Sequence, residues 1–343
     1  MDTKVGCFFL VYKINIMKEV TETYEIKRVF NNILEDLSMP RKEDDFLFIK
    51  KANEEDEKLV DWIPNNRIEF DEKLSRYGAI LFRGFKVNTV SKFEQISDLF
   101  KSETREYLFR SSPRFTVGKN VYTSTSYPKE SVINMHSEAS YTPYQDVQCA
   151  IFCCTNPAAV GGETPIADNR KILSFLSEST KNKFLEKGVR YKRNLRKNAG
   201  LSWEEVFQTS DKNEVEAECI RTNMDFKWEG ENDLELTWNK KAIWEHPKTK
   251  ELLWFNHSYF FNKFTFEKEF GSFSDISQLP YNSFYGDGTE ISDVEMEEIT
   301  KAYEKSTIQF PWKKGDVLFL DNLRCSHGRN AYDGKRKILA SLF

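Results

Sequence analysis

His136 and Glu138 lie two residues apart in the stretch "NMHSEASYTP" (134–143), in a chain that contains only four histidines. If this stretch is a β-strand, both side chains point to the same face and can grip one ion from one side. A neutral imidazole together with a carboxylate suits a borderline metal such as iron or zinc. An isolated His-x-Glu pair also fits a polar strand face with a hydrogen-bonded histidine, so the pair alone does not establish a metal site.

A third ligand has to come from His246, His257 or His327. The charged, turn-like stretch around His246 predicts a solvated side chain, and the sequence around His257 predicts little about its surroundings. His327 follows the apolar segment "GDVLFLDNLRCS", which predicts a buried strand. A histidine just past such a strand is well placed at the mouth of a barrel. Two histidines and one carboxylate form the facial triad of non-haem Fe(II) oxygenases. Cys325 offers a softer ligand, but a thiolate suits zinc better and would be oxidised at a site that activates O₂.

Thr164 and Arg336 are candidates for a second part of the same site. Thr164 follows two glycines in "GGETPIAD", and Arg336 begins the last apolar segment nine residues after His327. The planar guanidinium group pairs with carboxylates in bidentate fashion. A dicarboxylic cosubstrate could therefore chelate iron at one end and bind Arg336 and the Thr164 hydroxyl at the other. The alternatives are a surface cation at Arg336 and an ordinary strand threonine at Thr164.

These residues have to be positioned by a fold that is mainly β with flanking helices. Periodicity and turn residues predict strands at 77–85, 146–155, 315–322 and 337–343, and helices at 18–37, 91–100, 169–187 and 289–305. Many short strands with a few inserted helices indicate a β-sandwich or barrel.

Two domain regions follow from this pattern. Residues 1–70 are predicted to be an N-terminal extension with a helix that packs on the core, and residues 71–343 a single catalytic domain. Residues 194–250 are charged and rich in tryptophan, which indicates an insertion or lid.

The composition excludes several classes of partner. The net charge is −4 with acidic and basic residues mixed along the chain, which argues against binding to nucleic acid or to anionic membranes. No apolar run reaches transmembrane length. The six cysteines contain no CxxC pair, which indicates reduced thiols and a cytoplasmic protein.

Taken as an ordered set, several segments resemble the Fe(II)/2-oxoglutarate-dependent dioxygenases of the TauD/TfdA family, and in particular their clavaminate synthase-like and SyrP-like branch. The segments are "GAILFRGF", "HSEASY", "GGETPIAD", "WFN", "YGDG", "PWKKGDVLFLDN" and "HGRNAYDGKRKILASL". The resemblance implies a double-stranded β-helix, or jelly roll. It also implies oxidation, most simply hydroxylation, of a C–H bond in a small substrate, with consumption of O₂ and release of succinate and CO₂.

The resemblance also assigns roles to individual residues. His136, Glu138 and His327 match the iron ligands, while Thr164 and Arg336 match the residues that bind 2-oxoglutarate. Halogenating relatives have a small residue at the position of Glu138, so its carboxylate argues against halogenation. Ala340 stands where taurine dioxygenase has a further arginine, which argues against a sulfonate substrate.

An amino-acid-like molecule, free or tethered to a carrier protein, is the substrate class that the resemblance favours. Oligomeric state is not indicated by the sequence. Two other functions use the same residues: a zinc-dependent hydrolase with the same three ligands, and a non-catalytic jelly-roll binding protein. In the hydrolase, Thr164 and Arg336 would have no evident role.

Overall fold

The strands predicted from apolar runs lie together in one seven-stranded sheet. In a computed structural model, residues 46–100, 109, 116–123, 127–144, 147–196, 200–271 and 279–343 are described. The order of this sheet is β1 (Phe48–Lys51), β2 (Ala79–Arg83), β16 (Val317–Asp321), β6 (Cys149–Asn156), β19 (Lys337–Leu342), β4 (Val121–Thr123) and β3 (Thr116–Gly118). Strands β1 and β2 are parallel, and the other neighbours are antiparallel.

A four-stranded sheet carries the residues expected to do chemistry. Its order is β15 (Thr307–Ile308), β8 (Ile166–Asp168), β17 (Cys325–Arg329) and β5 (Ile133–His136). One apolar cluster joins this sheet to the larger one, since it combines side chains such as Ile166 and Cys325 with Leu81, Phe152 and Leu318. These two sheets, antiparallel except for the β1–β2 pair, share one core and form the predicted jelly roll, and the fold class is confirmed.

The other face of the large sheet is covered by helices. Successive residues of a strand point to opposite faces, so Ile80 and Phe82 leave the core between the sheets and contact Phe70 and Phe93 instead. Because both faces of β2 are buried, its sequence reads as a continuous apolar run rather than an alternating one.

The described helices are mostly short. They are α1 (Leu59–Asn65), α2 (Arg67–Tyr77), α3 (Val90–Asp98), α4 (Asn169–Phe175), α5 (Glu178–Lys187), α6 (Trp203–Phe207), α7 (Lys212–Arg221), α8 (Ser258–Phe261), α9 (Lys263–Phe270) and α10 (Asp293–Ser306). The helix predicted at 169–187 is divided in two, because Leu176 is extended and the Ser177 side chain caps a new helix by accepting from the Thr180 N–H. The helix predicted at 18–37 lies outside the described residues.

A second four-stranded sheet takes two of its strands, β10 (Asp225–Glu229) and β11 (Asp233–Lys240), from the predicted insertion. Its order is β10, β11, β9 (Val189–Leu195) and β14 (Tyr281–Tyr285). Two small pairs complete the strands, β12 (Ile243–Glu245) with β13 (Leu252–Trp254) and β7 (Val160–Gly161) with β18 (Tyr332–Asp333). Residues Phe46–Phe343 form one compact unit. The boundary near residue 70 and the lid role of 194–250 stay predictions.

Candidate active site

The two histidines of the predicted triad meet across a pair of antiparallel strands. His136 ends β5, and His327 lies directly opposite it in β17. Their ring centroids are 4.5 Å apart, and His327 Nε2 lies 3.3 Å from Glu138 Oε1. One ligand atom from each of the three residues falls within 4.8 Å of the others. Residues separated by up to 191 positions thus form one cluster, which we call the triad.

Glu138 reaches the triad from a turn rather than from the strand that the sequence predicts. Strand β5 stops at His136, and residues 138–140 form a turn in which Ala139 has a φ of 55°. The Thr142 N–H donates to the Ala139 carbonyl at 2.9 Å and closes the turn. The carboxylate therefore approaches the histidines by a bend of the chain, and period-two alternation is not what brings it there.

The tautomer of His136 is set by a main-chain contact. Its Nδ1 lies 2.8 Å from the Asn134 carbonyl oxygen, which can only accept a hydrogen bond, so Nδ1 carries the proton. The lone pair on Nε2 is then available to a metal, as in many histidine metal sites. His327 is also buried, and its Nδ1 has no hydrogen-bond partner among the described residues.

Asn322 holds the backbone of Glu138 from both sides. Its Oδ1 accepts from the Glu138 N–H at 2.8 Å, and its Nδ2 donates to the Glu138 carbonyl at 2.9 Å and to the Val147 carbonyl at 2.8 Å. Asn322 is fully buried at the end of β16. All three bonds cross from one part of the chain to another, so Asn322 fixes the position from which the Glu138 side chain projects.

A second buried asparagine ties the two histidine-bearing strands together. Asn169 donates to Ser137 Oγ at 3.3 Å and accepts from Ser326 Oγ at 2.7 Å. These two serines are themselves 3.2 Å apart. Each serine is the direct neighbour of a triad histidine, and its side chain points away from the triad into this network of neutral groups.

Thr164 and Arg336, predicted to act together, are in contact. Arg336 Nη2 lies 3.4 Å from Thr164 Oγ1, and Arg336 Nε donates to the Gly162 carbonyl at 2.8 Å. Gly162 has a φ of +72°, and a Cβ added there would lie 3.0 Å from Arg336 Cδ. The second glycine of "GGETP" is therefore required both by its conformation and by the close approach of the arginine.

The charge on Arg336 is only weakly compensated within the protein. Burial, together with the positive charge of Arg329, lowers the pKa of Arg336 to about 10. Arg329 lies on β17, two residues beyond His327, and donates to the carbonyls of Tyr127, Pro128 and Ser131. Two guanidinium groups near one another make this region a favourable place for an anion.

The two remaining histidines lie outside the triad, although neither is solvated. His246 is buried, with Nε2 at 3.0 Å from Asp321 Oδ2 and Nδ1 accepting from the Thr249 N–H, so the prediction of a solvated side chain was wrong. His257 packs beside the triad, 5.7 Å from the ring of His136, and its Nδ1 lies 3.0 Å from Ser140 Oγ. Burial, reinforced by the nearby His136, holds the pKa of His257 well below its usual value.

Among the described residues, no cysteine joins the group of side chains that could hold a metal ion. Cys325 Sγ donates to the Gly78 carbonyl at 3.1 Å, and burial raises the pKa of its thiol well above the usual value. Omitting Cys325 from the ligand set therefore agrees with the structure. The five cysteines in the described residues are free.

Aromatic side chains pack around the triad. The Phe152 ring lies 4.9 Å from that of His327, and the Phe260 ring 5.1 Å from that of His136. Trp254 and Phe255 pack in the core against Phe184 and Trp244 respectively. Of these aromatic residues, Phe152 and Phe260 are the ones that contact the triad histidines.

Comparison with known proteins agrees with this geometry. Residues 49–342 match the model of the taurine catabolism dioxygenase TauD, TfdA family. The chain belongs to this family. It is an Fe(II)- and 2-oxoglutarate-dependent dioxygenase that uses O₂ and acts on a small-molecule substrate. The predictions of family, enzyme class and cofactors are confirmed, and they take precedence over a zinc hydrolase or a non-catalytic binding protein.

Several relatives of this dioxygenase are known. The dapdiamide synthesis protein DdaC of Enterobacter agglomerans is 38% identical over 277 residues, covering 79% of this chain and 84% of the relative. A clavaminate synthase-like protein of Arabidopsis thaliana is 26% identical, covering 79% and 83%. Among solved structures, AAD-2 in complex with Mn(II) and N-oxalylglycine has a TM-score of 0.51 at 13% identity, covering 88% of this chain and 95% of AAD-2. That likeness supports the jelly-roll fold.

Among the helices in the described ranges, none has the length and apolar composition needed to cross a bilayer.

Proposed function

We propose that His136, Glu138 and His327 hold the Fe(II) of this dioxygenase, and that Thr164 and Arg336 bind the distal carboxylate of 2-oxoglutarate. The observation that carries the proposal is the convergence of the triad, whose ligand atoms lie within 4.8 Å of one another. Two imidazoles and one carboxylate are the donor set that non-haem iron prefers, and three such ligands leave positions for a chelating cosubstrate.

The residues present fit the metal in a further respect. Glu138 is 3% exposed, and its carboxylate faces the His327 Nε2 at 3.3 Å. A buried carboxylate is costly unless it is paired or coordinates a cation. A divalent ion between Glu138 and the two imidazoles would satisfy that requirement.

The protein's own groups position and shield the reactants. When bound, iron supplies the O₂-dependent oxidation of a C–H bond, coupled to conversion of 2-oxoglutarate to succinate and CO₂. Arg336 and Thr164 orient the cosubstrate by its far end, which leaves the keto acid end directed to the triad. Phe152 and Phe260 keep water from the triad histidines.

For the substrate, we propose an amino-acid-like molecule, free or tethered to a carrier protein, and hydroxylation as the outcome. The support is the clavaminate synthase-like character of the sequence and a 38% identical relative named for dapdiamide synthesis. Ala340 is small and fully buried, so this position offers no cation to a sulfonate. Retention of Glu138 argues against halogenation.

Two measurements test the proposal. Anaerobic addition of Fe(II) and 2-oxoglutarate should produce a weak visible charge-transfer band, which the protein loaded with zinc should lack. A succinate-release screen over amino acids and their conjugates, with iron and ascorbate, should then identify the substrate. Absence of the band in correctly folded protein would contradict the assignment of the ligands.

A further inference from the structure

The hydroxyl group of Thr164 is contacted by two groups that can only donate. Trp312 Nε1 lies 3.1 Å from Thr164 Oγ1, and Arg336 Nη2 lies 3.4 Å from the same atom. An indole N–H and a guanidinium N–H carry no acceptor, so Thr164 Oγ1 accepts from both. A hydroxyl group has two acceptor lone pairs and one hydrogen. Both acceptor positions are therefore used by these two neighbours.

The hydroxyl hydrogen of Thr164 must consequently point away from both neighbours. Thr164 is 3% exposed, and among the described residues it donates to no recorded acceptor. A buried donor of this kind needs an acceptor. A carboxylate oxygen can accept from this hydroxyl, and its negative charge is favoured by the nearby Arg336 guanidinium group.

Packing holds the Trp312 indole in the orientation that lets its N–H donate to Thr164 Oγ1. The indole is 8% exposed and belongs to the core cluster between the two large sheets, where it packs edge-on against Phe310 with ring centroids 5.4 Å apart. It reaches Thr164 from 148 positions further along the chain. The contact is thus part of the tertiary structure and does not depend on the local turn around Thr164.

We infer that Trp312 is a positioning residue for 2-oxoglutarate: its indole N–H occupies one lone pair of Thr164 and so directs the threonine hydroxyl to donate to the distal carboxylate beside Arg336. The inference rests on the proposed role of Thr164 and Arg336. It adds that a residue with no charge, and with no contact to the triad, sets the affinity for the cosubstrate. In the absence of this contact, the hydroxyl is free to turn towards other acceptors.

A double-mutant cycle tests the inference. Affinity for 2-oxoglutarate is measured by calorimetry on the Mn(II)-loaded protein, without turnover, for Trp312→Phe, Thr164→Val and the combination of both. Trp312→Phe should weaken binding about threefold to tenfold, the effect of one neutral hydrogen bond. Thr164→Val should weaken it at least as much. In the Thr164→Val background, Trp312→Phe should cause no further loss, because the hydroxyl through which Trp312 acts is gone.

Controls separate the hydrogen bond from packing. Trp244 donates its indole N–H to the Lys241 carbonyl and not to Thr164. Trp244→Phe should therefore leave the affinity for 2-oxoglutarate unchanged. Thr164→Ser keeps the hydroxyl and should retain most of the affinity.

The outcomes distinguish the inference from the proposed function. If the losses from Trp312→Phe and Thr164→Val add in the double variant, or if Trp312→Phe alone has no effect, the positioning role is wrong while the cosubstrate site stands. If Thr164→Val and Arg336→Leu both bind 2-oxoglutarate as the wild type does, the cosubstrate site itself is wrong and the inference falls with it.

Discussion

The triad and the Thr164–Arg336 pair, which we propose form one site, are supported by opposite kinds of chemistry. Behind the triad, the side-chain amides of Asn322 and Asn169 and the hydroxyls of two neighbouring serines make neutral hydrogen bonds. At Arg336, by contrast, burial and a second guanidinium group nearby together lower the pKa of the first. The triad is thus rigidly positioned before a metal arrives, whereas the pair carries a charge that a dianionic cosubstrate would stabilise.

This difference predicts which kind of substitution should abolish the function of each half of the site. A ligand that is fixed by backbone hydrogen bonds loses its function when its own donor atom or its support is removed. A cation that is held near another cation loses its function when its charge is removed, with little effect on the surrounding fold.

The largest effect is expected from removing a triad histidine. His136→Ala or His327→Ala leaves two ligands, and we expect iron binding and succinate formation to be abolished, measured by metal content after dialysis and by succinate release. His246→Gln is the matched control for His327, since the two histidines are equally buried but His246 bonds to Asp321 outside the triad. Wild-type succinate formation in either alanine variant would remove that residue from the ligand set.

Removal of the charge at Arg336 should produce the next largest effect. Taking away one partner of a buried, charge-assisted pair costs about 2–5 kcal/mol, so Arg336→Leu should raise the KM for 2-oxoglutarate by about two orders of magnitude or more while iron affinity stays the same. Lys335→Ala removes a neighbouring cation that is exposed and should change neither value. An unchanged KM in Arg336→Leu would show that the distal carboxylate binds elsewhere.

A change at Asn322 tests whether the triad depends on its support. Asn322→Ala removes three hydrogen bonds, two of them to Glu138. Outer residues that orient metal ligands typically contribute 10- to 100-fold in affinity, so we expect Mn(II) binding to weaken by about that factor.

Asn262→Ala is the matched control for Asn322. Asn262 is also buried, caps α9 and bonds to Ser283, away from the triad. It should lower the melting temperature to a similar extent without changing metal affinity. Equal metal affinity in the two asparagine variants would mean that Asn322 serves the fold alone.

The ligand residues and the fold class are the features of this protein that the sequence could predict. His136, Glu138 and His327 are recognisable because metal chemistry restricts residue types, and apolar runs indicate where β16 and β17 bring His327. The fold class follows from many short strands and the ordered set of family segments. The assignment of the five residues to metal and cosubstrate stays a prediction, which the geometry supports.

What the sequence does not reveal are the supporting contacts. Asn322 and Trp312 act through hydrogen bonds to residues 184 and 148 positions away, and no local periodicity encodes such a pairing. The burial of His246 could not be predicted for the same reason, because its partner Asp321 is 75 positions away. The turn at Glu138 depends on a positive φ at Ala139, a residue type that gives no signal for that conformation.

The smallest effect should come from Glu269, which lies between the two halves of the site. Its carboxylate accepts from Tyr127 Oη at 3.0 Å and from Asn134 Nδ2 at 3.4 Å. The Asn134 carbonyl supports His136, and the Tyr127 carbonyl accepts from Arg329. Burial raises the pKa of Glu269 from 4.5 to about 7. The native state therefore holds a proton between pH 4.5 and 7 that the unfolded state has released.

Since the native state binds more protons in that interval, the free energy of unfolding falls as pH rises through it. Above about pH 7 Glu269 is ionised in both states, and the full cost of burying its charge lowers the stability of the native state. Glu269→Gln keeps the side-chain shape and removes the titration. Relative to wild type, we expect it to gain about 1–2 kcal/mol of stability between pH 5 and pH 8, a value reduced from the full shift because the group is only partly buried. Urea unfolding at the two pH values measures this difference. A gain that is the same at both would show that the Glu269 carboxyl titrates in its ordinary range, and that the two halves of the site are not linked by a protonated acid.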